Sequence, residues 1–275
     1  LALAERGGAS GLDLLAAVAL GCEVEYRVSM ALGPAEQYHL GFHPSAVCGA
    51  FGATAAAAWL LGLGQEAVVR ALGLAACQAS GLMAWESDES ENARPFQMGM
   101  AARNGTTAAL LAADGFGGPV AVFDHGHTVF EAFSRKPAPE RLVADLDQGW
   151  DGVMGLAIKP YPCVAFLHPA LDALMPMLRE LDPDSIERIV MRFPRSGVHC
   201  VDDNPLKSHS AQYVLAVAAV RGALQVRDIF TDARADDPAI AALSERIEVV
   251  ADDGELEARF PDYYATEITV TTRSG

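Results

Sequence analysis

Positive charge is scarce in this chain, and so is charge of either sign. Its 275 residues include 20 Lys and Arg against 36 Asp and Glu, for a formal net charge of −16, and only 20% of residues are charged. Such a chain offers no broad cationic stripe to neutralise phosphates, which excludes nucleic acid as an expected partner and disfavours anionic membranes equally. An acidic protein can still take an acidic substrate, but its few Lys, Arg and His residues must then be gathered at one site. Cysteine is sparse too. Cys22, Cys48, Cys77, Cys163 and Cys200 lie far apart, odd in number and without a CxxC pair, which argues against a disulfide framework and suits a reducing cytoplasm. With the histidines also lacking ligand spacing, neither an iron–sulfur cluster nor a catalytic metal is expected. His125-Gly126-His127 has no Cys or acidic partner at a usual ligand spacing and reads as a loop. No charged stretch followed by an apolar one opens the chain. Leu1 already stands in a helical pattern, so the natural N-terminus is expected upstream.

Apolar residues, by contrast, make up 51% of the chain, enough for a large core and too many for disorder. The length exceeds one ordinary domain and predicts two. In the first half, Ala-rich apolar stretches of helical length are punctuated by Gly, Pro or Asp, predicting helices near 11–32, 44–62, 65–84 and 97–114. The stretch from Pro44 to Leu63 carries no charge. Its Gly and Ala content and missing Lys/Arg flanks favour a buried central helix over a membrane span. Residues 10–115 are thus expected to be almost wholly helical, with strands appearing only after about 150. Texture changes around 115–155, rich in Gly, Pro and aromatics. Beyond it, period-two alternation predicts strands at 185–194 and 265–273, with a third candidate at 246–250. Helices are expected at about 169–181 and 208–224, the latter with Ser208 as N-cap. That order describes a small α/β domain. The chain stops directly after a strand, where a turn should lead onwards, so the C-terminus too is expected to continue.

Four segments place polar groups at helix starts or at the domain junction. Gly41-Phe42-His43-Pro44 puts His43 immediately before a proline suited to the first helical turn, where N–H groups and the helix dipole favour a carboxylate. The Glu91 to Gly105 segment offers Arg94, whose guanidinium can fork onto a carboxylate; countering the acidic run Glu86, Asp88, Glu89 and Glu91 is its structural alternative. Lys159-Pro160-Tyr161-Pro162-Cys163, with His168-Pro169 beyond, lies at the junction and is stiffened by its prolines. Ser208-His209-Ser210-Ala211-Gln212-Tyr213 opens an apolar helix and clusters hydroxyls, imidazole and phenol within roughly two turns.

Taken in order, Gly41 to Gly49, Arg94 to Gly105, Lys159 to Cys163 and Ser208 to Tyr213 resemble signature stretches of MmgE/PrpD proteins. The similarity runs from about residue 10 to the end and takes in Gln78-Ala79-Ser80-Gly81. What the resemblance implies is an α plus α/β architecture: a large all-helical domain, here 1–155, followed by a smaller α/β lid, here 156–275, with the active site between them. It implies further helices beyond Gly275 and an upstream segment contributing an Asp and a His. A homodimer is implied as well. Carried over by position, active-site roles fall on His43, Arg94, Lys159 and Tyr213, with His168 nearby. Arg94 stands where Lys is usual, and Gln97 where many members have His; Gln cannot shuttle a proton, so a different acid or a different reaction follows.

The implied chemistry forms a carbanion-like or enolate-like species next to a carboxylate, which needs cations against the developing charge and an acid or base in reach. His43, Lys159 and Tyr213 are the expected catalytic residues, and Arg94, Gln97 and His168 the substrate-binding ones. Arg94 and Lys159 clamp carboxylates, and His43 and Tyr213 are the acid/base candidates. These groups are expected to converge on one cleft. The leading expectation is a cofactor-independent lyase on a small di- or tricarboxylate, a hydro-lyase of the 2-methylcitrate dehydratase type. The alternatives are a cis-aconitate-type decarboxylase, an iminodisuccinate-type epimerase, and an inactive binding protein or subunit.

Overall fold

The computed structural model describes residues 1–88, 90–230 and 237–273. Glu89 of the acidic run and the closing Ser274-Gly275 lie outside the described residues. The chain divides into a helical unit, Leu1–Trp85 with Ala93–Ala157, and an α/β unit, Glu86–Asn92 with Ile158–Gly275.

The helical unit is built around an uncharged helix. Helix α1 (Gly11–Leu32) starts in a capping box: Ser10 Oγ accepts from Asp13 N, and an Asp13 carboxylate oxygen accepts from Ser10 N. Helix α2 (Pro44–Leu60) opens with Pro44 in its first turn and buries Val47, Cys48, Phe51 and Thr54, among others. Around it pack α1, α3 (Gln65–Ala76) and α4 (Ala93–Ala113). Absence of charge in α2 therefore reflects helices on several sides. Among the described residues no helix is long and apolar enough to cross a membrane.

Small residues set how closely these helices approach. A Cβ on Gly105 of α4 would lie 2.4 Å from the Ala50 carbonyl oxygen of α2, whereas one on Gly99, also in α4, would meet nothing within 4 Å. Gly105→Ala is expected to cost about 1–3 kcal/mol by forcing backbones apart. Gly99→Ala should be neutral or gain up to about 1 kcal/mol of helix propensity. Urea unfolding midpoints of the two variants check the contrast.

Two helix boundaries differ from expectation. Helix α3 ends at Ala76, and the chain then turns so that Gly81–Met83 runs alongside Gly41–His43: His43 N donates to Gly81 O, Met83 N to Gly41 O, and Phe42 pairs with Leu82. Residues 10–115 thus contain a short antiparallel bridge as well as helices. Helix α4 begins at Ala93, so Arg94 and Pro95 sit inside its first turn, where the missing proline N–H costs nothing.

In the α/β unit a three-stranded sheet has the order β2-β1-β3, where β1 is Ile186–Pro194, β2 Ile247–Asp252 and β3 Glu267–Thr272. Strand β1 runs parallel to β2 and antiparallel to β3. Ile189, Met191 and Phe193 alternate into the core, and a register shift between Ile186 and Arg188 lets Ile186 join them despite its odd spacing. Helices α5 (His168–Met177), α6 (Ala211–Arg221) and α7 (Pro238–Ser244) supply the remaining core, including Leu171, Leu174, Val214 and Leu243. The N-cap of α6 is Ser210, whose hydroxyl accepts from Tyr213 N, and not Ser208. Ser208 is taken elsewhere: its N–H and Oγ–H donate to the two carboxylate oxygens of Glu91 at 2.7 and 2.8 Å.

Candidate active site

The helical unit gathers four of the side chains that matter. His43 is the N-cap of α2, with extended backbone and no side-chain capping bond. Its carbonyl accepts from Ala46 N and Val47 N, so amides expected to face an anion are spent on the helix itself. The imidazole is 6% exposed and lies edge-on to Trp85, ring centroids 5.3 Å apart. Its Nδ1 is 3.1 Å from Gln97 Oε1, and Gln97 Nε2 donates to Leu82 O at 2.8 Å. The Arg94 guanidinium sits over the Trp85 ring, 4.9 Å from its centroid, a cation–π contact that suits Arg better than Lys. Arg94 and Gln97 stand three residues apart on α4 and so share a face. Burial holds the His43 pKa below the ordinary imidazole value, the Gln97 hydrogen bond opposes that shift, and the Arg94 charge adds to it. The net shift favours the uncharged imidazole beside the Arg94 cation.

The α/β unit carries the other predicted residues, in two groups. Exposed Lys159 donates from Nζ to Cys163 O at 3.2 Å, and His168 Nε2 lies 3.4 Å from the same oxygen. Tyr161 donates its hydroxyl to Asp172 at 2.8 Å and packs edge-on against the His168 ring. Burial lowers the His168 pKa, against hydrogen bonding to the Cys163 carbonyl, and pushes the Cys163 thiol up to about 12. Tyr213 belongs to the second group: its hydroxyl donates to the Asp228 carbonyl at 3.2 Å. Asp228 is 2% exposed and ion-paired with Arg221, which also bonds Asp237.

His43, Arg94 and Gln97 are therefore brought together in one unit, and Lys159 with His168 in the other, where Tyr213 has its own partners. Sequence reasoning passed over Trp85, which touches both His43 and Arg94, and the Asp228–Arg221 pair behind Tyr213. An aromatic residue between the two matched segments 41–49 and 94–105 was the available signal for Trp85. His125-Gly126-His127 is an exposed loop. Among the described residues no group of three or more His, Cys, Asp or Glu side chains is placed to hold a metal ion.

Comparison with known proteins gives this arrangement a family. The sequence model of the MmgE/PrpD N-terminal domain matches residues 1–142, and that of the MmgE/PrpD C-terminal domain matches residues 161–275. The chain is 36% identical over 177 residues to the cis-aconitate decarboxylase-like protein oryM of Aspergillus oryzae, covering 62% of this chain and 36% of that protein. It is 30% identical over 279 residues to cis-aconitate decarboxylase of Homo sapiens, covering 97% of this chain and 56% of the relative. Against cis-aconitate decarboxylase of Aspergillus terreus it is 30% identical over 242 residues, 79% of this chain and 49% of the relative. The chain thus spans about half the length of the curated relatives it matches. With both domain models matched in order along its length, the chain belongs to the MmgE/PrpD family.

Proposed function

We propose that this chain carries the substrate-handling groups of a cofactor-independent carboxy-lyase acting on a small unsaturated tricarboxylate of the cis-aconitate type. The observation that carries the reading is the packing of the buried His43 imidazole against the Trp85 platform that also holds the Arg94 guanidinium. The relatives named cis-aconitate decarboxylase favour loss of carbon dioxide over the dehydration expected from sequence.

In such a reaction the bond to one carboxylate breaks and carbon dioxide leaves. The electron pair forms a new double bond to the neighbouring carbon, the original double bond opens towards a remaining carboxylate, and the carbon bearing that carboxylate then takes one proton. The substrate's own unsaturation is the electron sink. Arg94, with Gln97 on the same helix face, and Lys159, with His168 at the same Cys163 carbonyl, each serve as a carboxylate clamp opposing the charge that develops. An incoming trianion raises the proton affinity of His43, which binds a proton with the substrate and passes it to carbon as carbon dioxide departs. Tyr213 is the second acid candidate, and to act it must release the Asp228 carbonyl. Lys159→Ala should raise KM with little effect on folding, because its side chain is exposed. Tyr213→Phe should lower kcat more than affinity, by about 100-fold if its hydroxyl moves the proton.

Product analysis by NMR tests the reading. Incubation with cis-aconitate should give carbon dioxide and an unsaturated dicarboxylate bearing one solvent-derived hydrogen. Water lost from 2-methylcitrate without decarboxylation of cis-aconitate would reassign the protein to the hydro-lyases. Exchange of configuration at a diacid would mark an epimerase, and binding without turnover an inactive subunit. The homodimer implied by the resemblance is kept as a proposal, which analytical ultracentrifugation checks.

A further inference from the structure

The geometry points to Gln97 as the positioning residue that fixes His43 in its Nδ1–H form, leaving Nε2 as the nitrogen that takes up and gives away protons. In the short bridge between residues 41–43 and 81–83, the two ladder bonds are His43 N to Gly81 O and Met83 N to Gly41 O. Phe42 and Leu82 form the non-hydrogen-bonded pair between them, so the N–H and C=O of Leu82 point out of the ladder. The outward carbonyl accepts from Gln97 Nε2 at 2.8 Å. A carbonyl only accepts, so this contact decides which end of the Gln97 amide is nitrogen. Turned the other way, the amide would set oxygen against oxygen.

Gln97 Oε1 then faces His43 Nδ1 at 3.1 Å. An amide oxygen also only accepts, so Nδ1 must carry the hydrogen and Nε2 of the neutral ring keeps its lone pair. The bridge that holds the His43 backbone thus presents the carbonyl that orients its partner. Gly81 makes this approach possible: at φ +151°, a Cβ there would lie 2.4 Å from Ala46 Cβ in the first turn of α2. Trp85 fixes the ring against rotation from another side.

The type of residue at position 97 matters as well. A carboxylate beside Nδ1 would hold the imidazolium and raise its pKa, whereas the uncharged amide opposes the lowering without overturning it, and burial, the largest cause, still holds the pKa below the ordinary value. Gln97 therefore orients the ring without trapping a proton on it. The inference rests on the proposed function for the job given to Nε2, but not for the tautomer itself.

The test is long-range proton–nitrogen NMR on the whole chain labelled with nitrogen-15 histidine, with His43 assigned by the signal lost in His43→Gln. Wild type should show a protonated Nδ1 and a bare Nε2, and Gln97→Ala should move His43 towards the Nε2–H form preferred by free imidazole. Gln97→Glu should retain Nδ1–H and raise the His43 pKa above the ordinary value of about 6.5. With cis-aconitate as probe, Gln97→Ala should lose roughly 10- to 100-fold in kcat with KM little changed, and Gln97→Glu should shift the pH profile upward. An Nε2–H His43 in wild type, or an unchanged tautomer in Gln97→Ala, overturns the inference. Should Gln97→Ala fail to fold, an unchanged His43 pKa in Gln97→Glu overturns it instead. The expected tautomers in a protein that turns over no tricarboxylate would sustain the positioning role and remove the functional reading alone.

Discussion

His43→Ala is expected to lower turnover of cis-aconitate by about 100-fold or more, the usual range for removing a positioned proton donor. The ring is buried, held at Nδ1 by Gln97 and edge-on by Trp85, so its removal takes away a group positioned on two sides. The pH dependence carries a sign that separates the two chemistries. Burial, with Arg94 adding to it, puts the His43 pKa below the ordinary 6.5. If His43 donates a proton during decarboxylation, kcat/KM rises as pH falls through 6.5 towards that lowered pKa, until substrate carboxylates protonate. If His43 is the base of a dehydration, kcat/KM falls over the same range. In either case His43→Ala should flatten this limb. Folding carries its own sign: a His whose folded pKa is depressed favours the folded state fully above pH 6.5, and that contribution is lost as pH falls through the lowered value. Rate profiles of wild type and His43→Ala, read beside thermal unfolding at each pH, keep the two effects apart.

The largest effect on stability is expected at Glu23, far in role from the candidate site. Glu23 and Arg27, four residues apart on α1, form a 2.6 Å ion pair with side chains 8% and 11% exposed. Both ions are further satisfied: Glu23 accepts from Gly152 N at 2.7 Å, and Arg27 donates to Ala144 O at 2.6 Å. The pair thereby ties segment 144–152 to α1. Gly152 has to be glycine for this, since a Cβ there would lie 2.7 Å from the Cys22 carbonyl oxygen. Glu23→Ala strands a buried guanidinium and an unsatisfied amide, and should cost about 3–5 kcal/mol. Glu23→Leu combined with Arg27→Met removes both charges and should recover part of that loss, because two desolvated ions are exchanged for apolar contacts. Urea denaturation of the single and double variants measures the coupling. A loss below about 1 kcal/mol for Glu23→Ala would place the pair among ordinary surface ion pairs.

What could be read in advance follows the range of the interactions. Helix α2 was legible because an uncharged apolar stretch of that length has few alternatives, and β1 because Ile189, Met191 and Phe193 alternate. The end of α3 was not: residues 77–84 hold no proline and stay largely apolar, and they leave the helix to pair with residues 41–43, a contact between distant parts of the chain. The same holds for Ser208 and Ser210, two residues of equal capping propensity. Glu91, more than a hundred positions away, takes the first and leaves the second to cap α6. At the site, His43, Arg94 and Gln97 stood out through local pattern and family resemblance. Their shared neighbour Trp85 offered only the signal of an aromatic between the two matched segments, and the outward carbonyl of Leu82 offered none, since each acts through packing that only the folded chain creates. The pair Glu23–Arg27 had a faint one, oppositely charged residues at helical spacing within a largely apolar stretch.

The most direct test of the central claim is a titration of the isotope-labelled chain with cis-aconitate, followed by chemical-shift mapping. A polycarboxylate held by the groups described here should perturb the His43 ring, the Trp85 indole and the Arg94 guanidinium together and saturably, and Arg94→Ala should abolish the response. Saturable binding that leaves these three unshifted, or that survives Arg94→Ala unchanged, would contradict the account.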